Sequence, residues 1–315
     1  MQTPWGEIPV SDAHVHFFSS TFLSALAAQS PSLPKEATTI ASLLGWDAPR
    51  SPEELAGDWV RELDKHGVER AALIASLPGD EASVQTAVAA NPSRFHGYFL
   101  VNPLAPGVAS RVRGFLESGH LRGICLFPAM HRYSVADEAV DPVLQAAAAF
   151  RAVVFVHCGV LSVGFRKKLG LPSPFDLRYS NPLDVHPIAL RYPDIRFVIP
   201  HFGAGFLREA LMLCDLCPNV YLDTSSSNSW TKYSVPPIDL PSVFRQALDI
   251  AGPRRLLFGT DSSFFPRGWH APVFQAQIGA MQKAGIGAAD AERILGANLT
   301  DLFAGVGPAT IAANR

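Results

Sequence analysis

The stretch Ile8–Phe17, IPVSDAHVHF, decides how the fold is read. It opens as a short apolar run and closes on a histidine pair. An open, doubly wound sheet usually carries a Gly-rich phosphate loop after its first strand. Here that position holds His14 and His16 instead. Residues i and i+2 of a strand point to the same side, so the two imidazoles converge. Seven further apolar, β-branched runs follow the predicted strand Ile8–His14: Ala71–Ser76, Gly97–Val101, Gly123–Phe127, Val153–His157, Phe197–His201, Val220–Asp223 and Leu256–Asp261. They lack clean polar alternation, as expected of strands buried on both faces.

Helical periodicity fills the intervals. Pro52–Lys65 spaces Leu55, Trp59 and Leu63 four apart and stops at His66-Gly67, a helix end followed by glycine. Glu81–Ala90, Val108–Leu116, Glu138–Phe150, Leu183–Arg191, Gly205–Leu213, Pro241–Ile250 and Pro272–Ala284 behave alike. Strands alternating with helices imply parallel βαβ units, and eight in roughly 280 residues match a closed (β/α)8 TIM barrel. The expected class is α/β, with residues 1–315 forming a single domain and the tail after about 304 peripheral. Two long connections, Phe17–Ser51 after strand 1 and Val160–Asn181 after strand 5, leave C-terminal strand ends. That is the reactive face of barrel enzymes, where long loops serve as lids or specificity elements.

The chain has 315 residues, 48% apolar and 17% charged, with a net charge of -2. No basic run or tail suggests nucleic acid as a partner. The start MQTPWGEIPV lacks the features of a signal peptide. No segment approaches the roughly 18 apolar residues of a membrane span. The expectation is a soluble, cytoplasmic protein. Four cysteines do not make a disulfide framework. Cys214 and Cys217 form a lone CxxC without a second pair, and Cys125 and Cys158 read as small packing residues.

Ten histidines occupy unequal positions. His14 and His16, His157 of VFVHCG, His201 of FVIPHFGAG and Asp261 of LLFGTDS all fall at C-terminal strand ends. A closed barrel gathers those ends at one mouth. Imidazole and carboxylate suit zinc, manganese or iron(II). Three histidines and an aspartate leave room for a water whose pKa the metal would lower toward about 7. His66, His96 and His120 read as structural, whereas His131, His186 and His270 follow strands and are candidates to line the pocket.

The ordered landmarks DAHVHF, VFVHCG, YPDIRFVIPHFGAG, GTD and ERILGANLTDLF cover most of the chain. Together they resemble the amidohydrolase superfamily, specifically the amidohydrolase-2 group that includes aminocarboxymuconate-semialdehyde decarboxylase-like enzymes. The resemblance implies one divalent metal, zinc above manganese or iron, held by His14, His16, His157 and Asp261. It implies that Asp261 also transfers protons and that His201 orients or polarises water and substrate. In two-metal relatives a strand-4 lysine is carbamylated and bridges the metals. Strand 4 here reads GICLFP and offers Cys125, which argues for a single metal.

Two reactions fit. One is hydrolysis of a small lactone, ester or amide by metal-activated water. The alternative is non-oxidative decarboxylation of an aromatic or unsaturated carboxylic acid. A carboxylate would need a cationic anchor, for which Arg50, Arg178 and His131 are candidates, and Trp46 and Trp230 could wall a ring. A metal-binding but inactive barrel is the third reading; occupancy of all five polar positions speaks against it. The partner is a small molecule. Barrels of this kind commonly form homodimers, but no exposed stripe in the sequence identifies an interface.

Overall fold

The computed structural model describes residues 1–48 and 50–307; the predicted peripheral tail lies outside them from residue 308 onward. Eight parallel strands run in chain order around one sheet. They are β1 (Val10–Phe17), β2 (Val68–Ala75), β3 (Phe95–Val101), β4 (Leu121–Leu126), β5 (Val153–Val156), β6 (Phe197–Ile199), β7 (Val220–Asp223) and β8 (Leu256–Leu257). The sheet closes where β8 returns to β1. The Ala13 amide donates to the Phe258 carbonyl at 2.8 Å, the His16 amide to Ser262 at 2.7 Å, and the Asp261 amide to His14 at 3.0 Å. The expected (β/α)8 barrel is the observed architecture. Its seam runs through the residues singled out above.

Continuous apolar strands follow from burial on both faces. In β2, Ala72 and Ile74 belong to the barrel interior with Tyr98, Leu100, Cys125 and Phe155, whereas Ala71, Leu73 and Ala75 pack outward against the helices. The C-terminal helix Asn298–Phe303 plugs the barrel bottom: Phe303 stacks on His96 at 4.3 Å and lies 5.3 Å from Tyr98. The predicted helix after the first long loop spans Pro52–His66. Ser51 caps it reciprocally with Glu54, Pro52 enters its first turn, and Gly67 ends it in the left-handed region.

Three of the departures from the predicted bounds bear on the site. β1 continues past His14 to Phe17, carrying the whole histidine pair inside a strand. β6 and β8 stop short, at Ile199 and Leu257, because the chain then leaves the pleat: His201 has φ 56° and Asp261 φ 61°. The two long loops carry secondary structure of their own. The first holds helices Ser20–Ala27 and Ala37–Leu44. Phe22, Leu23, Leu26, Ile40 and Leu44 form a separate apolar cluster with Leu169 and Leu171 of the second loop. The two loops therefore form one packed unit over the barrel mouth.

Candidate metal centre

His14, His16 and Asp261 bring one ligand atom each to within 4.8 Å of one another. His14 Nε2 and His16 Nε2 are 3.4 Å apart, and Asp261 Oδ1 lies 3.7 Å and 3.2 Å from them. Four-coordinate zinc with bonds of about 2.0–2.1 Å separates its ligands by roughly 3.3 Å, so this triangle has the right size.

Hydrogen bonding on the far side of each ring sets the tautomers. His14 Nδ1 meets the Asp223 carboxylate at 2.7 Å; an ionised carboxylate only accepts, so Nδ1 carries the proton. His16 Nδ1 meets Ser76 Oγ at 2.7 Å, and Ser76 spends its own proton on the Ile74 carbonyl, so this Nδ1 also donates. His201 Nδ1 faces the Ser225 carbonyl at 3.3 Å and Ser225 Oγ at 2.9 Å, again as donor. In their neutral forms all three rings carry the Nε2 lone pair. Two of these lone pairs and a carboxylate oxygen then converge with no proton between them, the donor set a divalent cation satisfies.

The electrostatics favour that state for most of the cluster. Burial lowers the pKa values of His16, His157 and His201, and like-charged imidazoles add to the effect for each. His14 goes the other way: burial would lower it, but the Asp223 charge and hydrogen bond raise it. Burial also pushes the Asp261 carboxyl up, yet His16, which donates to it whenever Nε2 is protonated, and the charge of the surrounding imidazoles hold it well below the usual carboxylate range, so a cation bound here would take the place of a proton. Asp261, His201, Phe202 and Ser226 all have φ between 51° and 71°. Left-handed backbone at side chains of this size is strain of the kind stored at functional sites.

His157 stands apart from the triangle. It stacks on Phe127 at 5.0 Å and packs edge-on against His201 at 5.4 Å. Its Nδ1 is buried without a hydrogen-bond partner among the described residues. Together with His14, His16, His201 and Asp261 it lines a cavity of about 1080 Å³. Trp46, His131 and Trp230 line the same cavity, and burial pushes His131 down to about 4. Arg50 and Arg178 do not. Arg50 borders a separate cavity of about 310 Å³ and faces Glu54 and Asp58. Arg178 is 83% exposed and clamped on Asp176. Cys125 is fully buried in the barrel interior, where burial raises its thiol well above the usual range, and it is not among the residues that line the cavity.

Several supporting residues carry no role in the sequence reading. Asp223 is fully buried and also accepts from the Ser225 amide at 2.7 Å and from Ser225 Oγ at 3.0 Å. Asp12, buried beneath the histidine pair, accepts from the His14 and Thr260 amides, Thr260 Oγ1 and Trp269 Nε1. It therefore ties β1 to the loop that carries Asp261. Asp223 ends a strand at the same face as Asp261, a signal that the strand-end rule could have used.

A family described as Amidohydrolase matches residues 11–304. Protein fluG of Emericella nidulans is 34% identical over 91 residues, which are 29% of this chain and 10% of that protein; the chain thus spans about a tenth of the curated relative's length. Two solved structures share the fold. The 5-carboxyvanillate decarboxylase of Novosphingobium aromaticivorans, solved with manganese and 3-methoxy-4-hydroxy-5-nitrobenzoic acid, has a TM-score of 0.63 at 14% identity, covering 96% of this chain and 99% of its own. A probable 2-pyrone-4,6-dicarboxylic acid hydrolase of Acinetobacter baumannii, with citric acid bound, has a TM-score of 0.62 at 15% identity, covering 94% and 99%.

Proposed function

This chain belongs to the amidohydrolase family of metal-dependent enzymes, and within it we propose a mononuclear hydrolase of a small lactone, ester or amide. The observation that carries the reading is the convergence of His14 Nε2, His16 Nε2 and Asp261 Oδ1 in an open cavity. His157, its Nδ1 without a partner among the described residues, is the fourth ligand. A bound divalent cation, zinc or manganese, supplies Lewis acidity and lowers the pKa of water.

The chain's own residues do the rest. Asp261, its side chain 34% exposed, takes up a proton from the attacking water and passes it to the leaving group. His201 commits Nδ1–H to Ser225 and so presents Nε2 to the cavity as an acceptor that orients water. Phe18, Phe22, Trp46 and Phe127 supply apolar walls that exclude solvent.

A second reading has its own support. Arg166, Lys168, Lys232 and Arg267 line the cavity, where Asp261 is the lone carboxylate among the described residues. Cations beside aromatic walls suit decarboxylation of an aromatic or unsaturated acid. Elemental analysis with parallel assays separates the two: lactone or ester hydrolysis without carbon dioxide release supports the first, and carbon dioxide release from aromatic acids moves the assignment to the second. About one metal with neither activity leaves the inactive barrel, and reproducible absence of metal removes the central claim.

A further inference from the structure

The four cations of the cavity are not equally available. Arg166 spends its guanidinium on the Pro172 carbonyl, at 3.0 Å and 2.6 Å, and on Gln29 Oε1 at 2.7 Å. Lys232 stands over its neighbour Tyr233 at 5.0 Å. Lys168, at the end of the short helix Gly164–Lys168, is exposed, as is Arg267, but it makes no side-chain hydrogen bond among the described residues. Arg267 is held differently. Its Nη2 donates to the Asp261 carbonyl at 3.2 Å and to Ser263 Oγ at 2.8 Å, while Nε and Nη1 have no hydrogen-bond partner among the described residues. Its guanidinium lies 4.5 Å from the centroid of the Phe264 ring.

That contact is the end of a column of flat groups. Phe264 stacks on Trp46 at 4.7 Å and 11°, Trp46 on Phe18 at 5.2 Å and 8°, and Phe18 on His16 at 5.5 Å and 24°. His16 reaches Asp261 at 3.2 Å, and Asp261 holds Arg267 through its carbonyl. The contacts form a closed circuit containing two of the proposed metal ligands and one cation. Two Nη2 hydrogen bonds and the Phe264 ring thus hold one edge of the Arg267 guanidinium in place before a ligand arrives.

We propose that Arg267 is the specificity-determining residue of this site, receiving a carboxylate of the substrate through Nε and Nη1 beside the metal ligands. The proposal rests on the metal-dependent reading above. A purely structural Arg267 would hold the Asp261 loop without sensing the charge of a ligand, and this difference is measurable.

The probes are benzoate and the equally sized, uncharged benzamide, titrated by calorimetry into the zinc-loaded full chain. The wild type is expected to prefer benzoate by about tenfold or more, the scale of one charge-assisted hydrogen bond. Arg267→Met should reduce that preference to within about threefold at unchanged zinc content, and Arg267→Lys should recover part of it. Because zinc is common to all three proteins, its own pull on benzoate cancels in the comparison. A preference that survives Arg267→Met, an absent preference in the wild type, or loss of zinc from Arg267→Met overturns the assignment. A wild type that fails to take up zinc sinks the metal reading instead, so the two failures are distinguishable.

Discussion

Replacing Asp223 by asparagine should weaken metal binding by inverting the tautomer of His14. Asp223 Oδ1 accepts from the Ser225 amide at 2.7 Å, which pins that position as an oxygen. The asparagine nitrogen must then take the Oδ2 position, 2.7 Å from His14 Nδ1. It presents N–H where the imidazole now donates, so His14 must accept at Nδ1 and carry its proton on Nε2, the atom facing His16 and Asp261. Loss of the carboxylate behind a ligating histidine costs about 10–100-fold in metal affinity, or about 1.4–2.7 kcal/mol. The side chain is fully buried and nearly isosteric, so the barrel itself should persist. Chelator competition at fixed pH reads the affinity. The extra thermal stability conferred by saturating metal should shrink by the same free energy, since metal binds only the folded site. Metal affinity within twofold of wild type, in protein with an unchanged circular dichroism spectrum, would refute the tautomer argument.

Other outcomes follow from the same geometry. A Cβ on Gly259 would lie 2.8 Å from Asp223 Oδ1 and 3.0 Å from the Cβ atoms of His14 and Ser225; Gly259→Ala should cost about 1–3 kcal/mol of stability and weaken metal binding, and unchanged values for both would show that the site can yield. His157→Ala should lower metal content, whereas stoichiometric metal in that variant removes His157 from the ligand set. His201→Ala should keep the metal and lose turnover by about a hundredfold or more; near-normal turnover excludes it from proton transfer and substrate orientation. Asp80 is pushed up to about 6 by burial, against the bonds from Ser19 and Ser83, from an ordinary value of 3.8. The folded state then holds a proton that the unfolded chain releases, so wild-type stability should fall relative to Asp80→Asn between about pH 4 and 7, by up to about 3 kcal/mol. Denaturant unfolding of both proteins across that range checks the sign; a pH-independent difference contradicts it.

The barrel was legible because its signals are local. A strand buried on both faces must be apolar throughout, so runs such as Val68–Ala75 and Phe95–Val101 stand out against helices patterned on one side. Histidines that end such runs belong at one mouth, which is why His14, His16, His157, His201 and Asp261 share a cavity. What stayed hidden depends on distant neighbours. Asp12 sits two residues before His14 and reads as one more strand position, yet its four donors include Thr260 and Trp269, met only when the barrel closes. Asp223 ends the predicted seventh strand, but its partner is His14, 209 residues away. The cationic candidates show the same limit from the other side. Arg50 and Arg178 sit near the ends of the two long loops, where position alone suggests a role; local carboxylates, Glu54, Asp58 and Asp176, face them outside the cavity. Arg267 follows Asp261 in an FFPRG turn, and only the folded aromatic column brings it back beside the ligands. Strand ends therefore identify groups that share the mouth, whereas tautomers and fixed charges depend on side chains brought in by other turns of the barrel. For this protein the first set carries the case for a metal site, and the second sets which neutral imidazole nitrogens and which cation a substrate would meet.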